Sequence, residues 1–289
     1  MALTTEILPY AVPPLSMGIV ALTVYDADRM AAFYRRVVGL HRMPSGGGSV
    51  RLGTGGRTLL ELRADPAARR ASPREAGLFH TAFLLPDRPT LAAWLRHAAA
   101  IGQPLRGASD HAVSEALYLS DPEGNGIEIY ADRPRAAWRW SGGEVHMPTV
   151  ALDAEDLLAQ DDGRRWEGLS SATVGHMHLR VGGNPAAERF YAGVLGLDIT
   201  SRYPGVTFYA AGGYHHHLAT NVWDSRGAPP RQEPTTGLAA VELLMPAEAV
   251  QATAARAAGA VPREDGGLML RDPWNTPIVL TPRHGQAGV

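Results

Sequence analysis

The sequence predicts an α+β protein with mixed sheets, organised as two domains of two modules each. An internal repeat supports this class, because Phe33-Tyr34 recurs as Phe190-Tyr191 at an offset of 157 residues. In addition, strand-like and helix-like segments alternate, but the strands that follow each helix are separated only by short turns. This order favours mixed sheets over a doubly wound parallel sheet.

Composition limits the classes of protein that the chain can represent. Its 289 residues exceed a typical domain of about 150 residues. A formal net charge of -2 provides no basic field for nucleic acid, and the absence of cysteine excludes disulfides, thiolate nucleophiles and Cys-bound metals. We find no secretory signal and no apolar stretch of about 18 residues. We therefore expect a cytoplasmic protein with neither a membrane nor a nucleic-acid partner.

The stronger repeat combines a strand with a helix. Ala31–Leu40 reads AAFYRRVVGL and Ala187–Leu197 reads AERFYAGVLGL. Each segment follows a short β-like run, Gly18–Tyr25 in the first half and Gly175–Val181 in the second. Each also reaches a glycine near its end, as helices commonly do at their C-cap, and then returns to strand-like sequence.

A weaker repeat follows in each half. Gly77–Leu85 is a predicted strand, and apolar residues at helical spacing predict a helix over Pro89–Ala100. Gly237–Leu244 and Ala247–Ala258 repeat this order, and Asp121-Pro122 has a counterpart in Asp272-Pro273. The predicted modules lie near residues 17–63, 77–131, 175–223 and 237–281. They divide into a first domain (10–133), a connector (134–172) with a short helix near Asp153–Gln160, and a second domain (173–283).

One strand of the second module contains a carboxylate among apolar residues. The segment Asp110–Tyr130 reads DHAVSEALYLSDPEGNGIEIY and places His111 and Tyr118 before a tight turn. Glu128 follows that turn between two isoleucines. A carboxylate in such a strand is unfavourable unless it is exposed, paired or bound to a metal. From composition alone, two interpretations stay equally open: an edge strand in which Glu128 is exposed to water, and a functional role for Glu128.

The spacing His-x6-Tyr-x2-Asp-Pro-x-Gly-x3-Glu resembles the signature of the type I extradiol ring-cleavage dioxygenases in the vicinal oxygen chelate superfamily. The residues at the positions of the pattern are His111, Tyr118, Asp121, Pro122, Gly124 and Glu128. Ser109 departs from the glycine usual two residues before the histidine. The resemblance covers nearly the whole chain and implies two domains built from four βαβββ modules with mixed, curved sheets.

The resemblance also implies a metal site with two histidines and one glutamate, the facial triad of non-haem iron enzymes. Glu128 matches the carboxylate, His80 matches the histidine in the strand that opens the same module, and His176 matches the histidine of a Gly-His strand. His178 would share a face with His176 and is its main rival. Fe(II) is the expected ion, with Mn(II) as an alternative.

Neither consecutive pair of modules contains the complete ligand set. The repeat places Ile19 opposite His176, Ala240 opposite His80 and Val279 opposite Glu128. Modules two and three together are complete. We therefore predict that these two modules form the metal site, either within one chain or across a dimer, and that modules one and four lack one.

The run His215-His216-His217 lies where the family has an active-site histidine. Because side chains alternate along a strand, His216 and His217 cannot both face the cavity. We favour His217, since the following Leu218-Ala219 aligns best, and keep His216 as the second choice. A polar strand end without function is the alternative interpretation of this run.

The resemblance implies cleavage of catechol or a substituted catechol by O2 to a 2-hydroxymuconic semialdehyde. His217 would take a phenolic proton, while His111 and Tyr118 would hydrogen-bond oxygen atoms at the site. A homo-oligomer is a family-level expectation. A hydroquinone-cleaving dioxygenase, a glyoxalase-type metal isomerase and a non-catalytic drug-binding resistance protein remain alternatives. The ring substituents cannot be deduced from the sequence.

Overall fold

A computed structural model describes residues 14–163 and 166–283 of the chain. Residues 10–13 of the predicted first domain and residues 164–165 of the predicted connector lie outside the described residues. Among the described residues, no helix has both the length and the apolar character needed to cross a membrane.

All four modules have the order β-α-β-β-β, as predicted. The first contains β1 (Ser16–Val24), α1 (Ala27–Phe33), β2 (His41–Met43), β3 (Ser49–Thr54) and β4 (Arg57–Ala64). The second contains β5 (Gly77–Leu85), α2 (Arg88–Ala100), β6 (Gly107–Asp110), β7 (Ser114–Ser120) and β8 (Gly126–Asp132).

The connector and the second half complete the chain. Between the halves lie a 3-10 turn (Arg135–Ala137), β9 (Trp140–Ser141), β10 (Glu144–Val145), β11 (Val150–Ala151) and α3 (Ala154–Leu158). The third module contains β12 (Thr173–Arg180), α4 (Asn184–Glu188), β13 (Asp198–Tyr203), β14 (Val206–Ala210) and β15 (Leu218–Asn221). The fourth contains β16 (Gly237–Pro246), α5 (Ala247–Arg256), β17 (Val261–Pro262), β18 (Leu268–Arg271) and β19 (Pro277–Arg283).

The repeated Phe-Tyr segments form the ends of the first helix in each half. Helix α1 continues into a π-helical turn over Tyr34–Val38, and α4 continues into one over Arg189–Val194. Gly39 and Gly196 have φ angles of 89° and 77°, in the left-handed region that glycine adopts without strain. The glycines therefore end the helical segments and return the chain to strand.

Each of the two large sheets combines modules from different halves of the chain. An eight-stranded sheet has the order β17-β18-β19-β16-β1-β4-β3-β2 and joins modules one and four. A nine-stranded sheet has the order β11-β6-β7-β8-β5-β12-β15-β14-β13 and joins modules two and three. Modules two and three thus pair within a single chain, and neither sequential half, 10–133 or 173–283, forms a sheet of its own.

Consecutive modules are linked by the repeated tyrosine and aspartate. The Tyr34 hydroxyl donates to Asp121 Oδ2 at 3.0 Å, and the Tyr191 hydroxyl donates to Asp272 Oδ2 at 3.0 Å. Asp121 Oδ1 also accepts two backbone N–H groups of its own turn, including that of Asn125. The repeated Asp-Pro therefore has a structural role, because it shapes a tight turn and anchors a buried tyrosine.

Both sheets share one continuous apolar core. It includes Leu22 of β1, Phe83 of β5, Trp94 of α2 and Leu179 of β12, each at most 1% exposed. This packing leaves the opposite face of the nine-stranded sheet free to line a cavity.

Candidate metal centre

Three neighbouring strands of the nine-stranded sheet carry the predicted ligands. His80 lies on β5, Glu128 on β8 and His176 on β12, and β5 runs between the other two strands. Ala82 of β5 is the register partner of both Glu128 and His176. Because residues two apart on a strand share a face, His80 lies on the same face as Ala82. The small alanine leaves the space in which the three side chains converge.

The ligand atoms of these residues form a compact buried group. One ligand atom from each of His80, Glu128 and His176 lies within 4.8 Å of the others. Glu128 Oε2 is 2.9 Å from His80 Nε2 and 3.1 Å from His176 Nε2. All three side chains are at most 8% exposed.

The group fits a divalent metal better than a closed hydrogen-bond network. His80 Nε2 is buried and lacks a partner with hydrogen-bond geometry, although it lies close to the Glu128 carboxylate. Two imidazoles and one carboxylate are a donor set that suits Fe(II) or Mn(II). The residues present therefore fit the predicted ion.

Charge at the centre depends on the pairing of Glu128. Burial by itself would raise the pKa of Glu128, but the neighbouring His176 and His80 hold that pKa well below its usual range. Burial lowers the pKa of His176, and the Glu128 carboxylate opposes that effect. An ionised carboxylate beside neutral imidazoles is the state in which these groups bind metal.

The Tyr130 side chain lies very close to the backbone before His176, which explains the glycine at that position. A Cβ on Gly175 would lie only 1.8 Å from the Tyr130 hydroxyl. The Tyr130 ring is fully buried, and its centroid lies 4.8 Å from that of His176. Glycine at this position therefore allows Tyr130 to pack against the predicted ligand.

His178, the rival ligand, belongs to a different hydrogen-bond arrangement. The Asn221 side-chain amide donates to His178 Nε2 at 3.0 Å, while Asn221 Oδ1 accepts from the Trp223 backbone. His178 lines the cavity but is not part of the ligand group formed by the described residues. The lone pair of His178 Nε2 accepts the hydrogen bond from Asn221. A neutral His178 therefore carries its proton on Nδ1.

His111 and Tyr118 form a hydrogen-bonded pair in the cavity wall. His111 Nδ1 is 2.9 Å from the Pro148 carbonyl oxygen, which can only accept. A neutral His111 is therefore unprotonated at Nε2, which accepts from the Tyr118 hydroxyl at 2.8 Å. Burial, with the charge of Glu128, raises the pKa of Tyr118 well above its usual value, so the phenol stays neutral.

Within the histidine run the structure places His216, and not the favoured His217, at the cavity. His216 lines the cavity and its ring centroid lies 4.0 Å from that of His176, whereas His217 does not line the cavity. His217 Nδ1 instead accepts from the Ala211 backbone at 3.4 Å. Only one of the two adjacent histidines faces the cavity, in keeping with alternation, but the alignment of Leu218-Ala219 did not show which one. Burial lowers the pKa of His216 well below its ordinary value.

The cavity above the candidate ligands has a volume of about 660 Å³. Phe79, Phe208 and Trp223 form an aromatic wall around His178, with ring centroids between 4.9 and 6.2 Å from its ring. Met147 and Pro148 of the connector also line the cavity. A mainly apolar cavity with a few convergent polar groups is typical of a small-molecule site.

Sequence reasoning missed Asn221 and Asp132. Asn221 orients His178, while Asp132 Oδ1 lies 2.9 Å from His215 Nε2. Asp132 is the last residue of the strand that contains Glu128, so its position at the end of a candidate ligand strand was the available signal. No spacing in the sequence connects either residue to its histidine.

Comparison with known families agrees with the fold and the repeat. The model of the Glyoxalase/Bleomycin resistance protein/Dioxygenase superfamily matches residues 16–129 and 173–276. A Bacillus subtilis (strain 168) protein named catechol-2,3-dioxygenase is 42% identical over 240 residues, which cover 80% of this chain and 82% of that protein. These matches confirm the resemblance that the sequence suggested.

Solved structures share the architecture at low sequence identity. A structure from Bacillus subtilis subsp. subtilis strain 168 has a TM-score of 0.64 at 12% identity, and covers 93% of this chain and 86% of that one. Glyoxalase I from Zea mays has a TM-score of 0.56 at 16% identity, with 93% and 92% coverage. At such identities the likeness concerns the fold alone.

Proposed function

The chain belongs to the glyoxalase/bleomycin resistance protein/dioxygenase superfamily, and we propose that it is an Fe(II)-dependent extradiol dioxygenase. Its substrate would be a catechol and O2, and its product a 2-hydroxymuconic semialdehyde. The observation that carries this proposal is the convergence of His80, Glu128 and His176 at the base of an apolar cavity. The 42% identical catechol-2,3-dioxygenase supports the same reaction class.

His80, Glu128 and His176 would hold the ion. When bound, Fe(II) supplies open coordination positions and the redox chemistry that a reaction with O2 requires. Among the described residues, the candidate ligand group contains a single carboxylate. This composition favours dioxygenase chemistry over a glyoxalase-type isomerase, because such isomerases typically use more carboxylate ligands.

The polar groups of the cavity would orient the diol. The Tyr118 hydroxyl donates to His111, and its oxygen remains able to accept a hydrogen bond from a substrate hydroxyl. His216 lies on the opposite side of the ligand group, next to His176, and takes over the role that the sequence assigned to His217. Together these residues would fix the diol at the ligand centre.

The aromatic wall favours a catechol with an apolar substituent. A volume of about 660 Å³ lies within the range of drug-sized ligands and exceeds what one six-membered ring needs. Phe79, Phe208 and Trp223 would pack against the substituent and exclude water. We therefore propose substituted catechols, rather than catechol itself, as the preferred substrates.

The test is oxygen uptake by protein loaded anaerobically with Fe(II) and given catechol, alkyl-catechols and aryl-catechols. We expect uptake with a new yellow product, and a higher kcat/KM for catechols with apolar substituents. His176→Ala should abolish uptake, while His178→Ala should retain measurable uptake. Parallel loading with Mn(II) distinguishes the two candidate ions.

Other outcomes point to the alternatives. Uptake only with hydroquinones would identify a cleaver of para-diols. Bound metal without uptake on any diol would contradict the proposal and favour an isomerase, which a thiohemiacetal substrate would reveal. Absence of metal binding would favour a binding protein. Uptake retained by His176→Ala but lost in His178→Ala would transfer the ligand role to His178.

A further inference from the structure

A hydrogen-bonded chain leads away from the cavity behind His216. His216 Nδ1 lies 2.7 Å from His215 Nδ1, and His215 Nε2 lies 2.9 Å from Asp132 Oδ1. His215 is fully buried, while the side chain of Asp132 is 24% exposed. The chain thus extends from the cavity wall to a carboxylate near the surface.

The surroundings hold this chain in one geometry. The Tyr214 hydroxyl donates to Asp132 Oδ2 at 2.9 Å, and Thr200 Oγ1 donates to the His215 carbonyl at 2.5 Å. The rings of Tyr214 and Trp138 pack on that of His215, with centroids 4.1 and 5.1 Å away. Both carboxylate oxygens of Asp132 and both ring nitrogens of His215 therefore have hydrogen-bond partners.

The proton positions follow from donor and acceptor chemistry. An ionised carboxylate only accepts, so His215 donates from Nε2 to Asp132, and a neutral His215 is unprotonated at Nδ1. When both rings are neutral, the two facing nitrogens 2.7 Å apart share one proton, and it resides on His216 Nδ1 because the proton of His215 is on Nε2. A neutral His216 then has no proton on Nε2, the nitrogen that remains for the cavity.

We propose that Asp132 and His215 are positioning residues that fix His216 in the Nδ1–H tautomer, so that its bare Nε2 accepts a hydrogen bond from a substrate hydroxyl. This inference rests on the proposed function only for the identity of that hydroxyl. Outer partners of this kind set the tautomer and orientation of functional histidines.

The tautomer can be observed without any reaction. Long-range proton–nitrogen NMR spectra of nitrogen-15-labelled, metal-free protein distinguish a protonated ring nitrogen from a bare one, and His216→Gln identifies the signals. In the wild type we expect His216 to be protonated at Nδ1 and bare at Nε2. A wild-type His216 protonated at Nε2 would overturn the proposal whether or not the protein proves to be a dioxygenase.

Asp132→Asn tests the source of the tautomer with little change in shape. The amide N–H introduced at position 132 can donate to an unprotonated His215 Nε2. His215 would then donate from Nδ1 to His216 Nδ1, and His216 would carry its proton on Nε2. We expect His216 to lose its single tautomer in this variant. Asp265→Asn, which alters an exposed carboxylate paired with Arg263 in the turn between β17 and β18, is the control and should leave the spectrum unchanged. An unchanged His216 spectrum in Asp132→Asn would overturn the proposal.

Substitutions at His215 separate positioning from packing. Asn can place an acceptor oxygen near the position of His215 Nδ1, whereas Leu fills the space without one. We expect His215→Leu to lower kcat by about 10–100-fold, the usual range for outer partners, with KM little changed. His215→Asn should recover most of that loss. Equal losses in the two variants would indicate that His215 acts through packing alone.

Discussion

In the nine-stranded sheet β12 lies antiparallel beside β5, and in the eight-stranded sheet β1 lies antiparallel beside β16 in an equivalent register. His178 is opposite His80 in the first pair, and Ala21 is opposite Ala240 in the second. Each pair also has a register shift at its repeated glycine, Gly175 or Gly18. The backbone arrangement is therefore the same in the sheet that carries the candidate metal centre and in the sheet that does not.

The side chains at the matching positions differ. A carboxylate is present in the eight-stranded sheet, but it comes from Glu242, which the register places where Ala82 lies in the other sheet. Glu242 accepts from the Ile19 backbone at 2.9 Å and from Thr281 Oγ1 at 2.6 Å. Its side chain occupies the space above Gly18 and is satisfied by hydrogen bonds.

The two sheets show that this fold forms with or without the candidate metal centre. A pair of modules forms the same sheet with or without ligands, because strand pairing depends on the backbone and on the apolar face. A metal centre would additionally require ligands such as His80, Glu128 and His176, with a small Ala82 between them.

The largest expected effect follows loss of the carboxylate of the centre. Glu128→Gln should reduce activity and Fe(II) content by at least about 100-fold, because a neutral amide is a poor ligand and leaves two buried imidazoles without their charged partner. Glu242→Gln is the matched control in the other sheet and should leave metal content within about 2-fold. Metal analysis and oxygen uptake measure both. Equal losses would mean that the sheets are functionally coupled.

A methyl group on each repeated glycine should affect the two sheets unequally. Gly175→Ala forces a Cβ against the rigid, buried Tyr130, and overpacking of this kind costs about 1–3 kcal/mol. At Gly18 the Cβ would meet the Glu242 side chain, which is only partly buried and can shift. That shift would strain the hydrogen bonds of this side chain to Ile19 and Thr281. We expect a smaller loss of unfolding free energy for Gly18→Ala, measured by urea denaturation. An equally large loss of unfolding free energy in Gly18→Ala and Gly175→Ala would contradict the expected difference between the two sheets.

Acid should destabilise the protein through its buried neutral histidines. Burial lowers the pKa of His217 to about 3, whereas an unfolded histidine titrates near about 6.5. Between these values the unfolded state binds the extra proton, so stability falls as pH decreases below 6.5.

For His217 the loss between pH 6.5 and 5.5 is about 1 kcal/mol, because the unfolded histidine is only half protonated at pH 6.5. His217→Asn keeps an acceptor near the Ala211 N–H but does not titrate there. Its unfolding free energy should therefore decrease less over this interval, by up to that amount. Urea denaturation of the metal-free proteins at both pH values measures the difference. Parallel decreases in variant and wild type would exclude His217 as a contributor.

The sequence determined the modules and the identity of the candidate ligands. The constant repeat offset and the glycines predicted four βαβββ units, and the fold contains them. The motif that includes Tyr118 and Glu128 indicated the family, which the family match confirms. These features were readable because they depend on local spacing along the chain.

Tertiary structure decided which side chains meet. Repeat alignment showed that modules two and three hold the complete ligand set, but only strand pairing showed that they share a sheet within one chain. Whether His216 or His217 faces the cavity depended on how the segment before β15 packs beside His176. The partnership of Asp132 with His215 spans 83 residues. Contacts between distant segments depend on how whole elements pack, and no local pattern in the sequence encodes them.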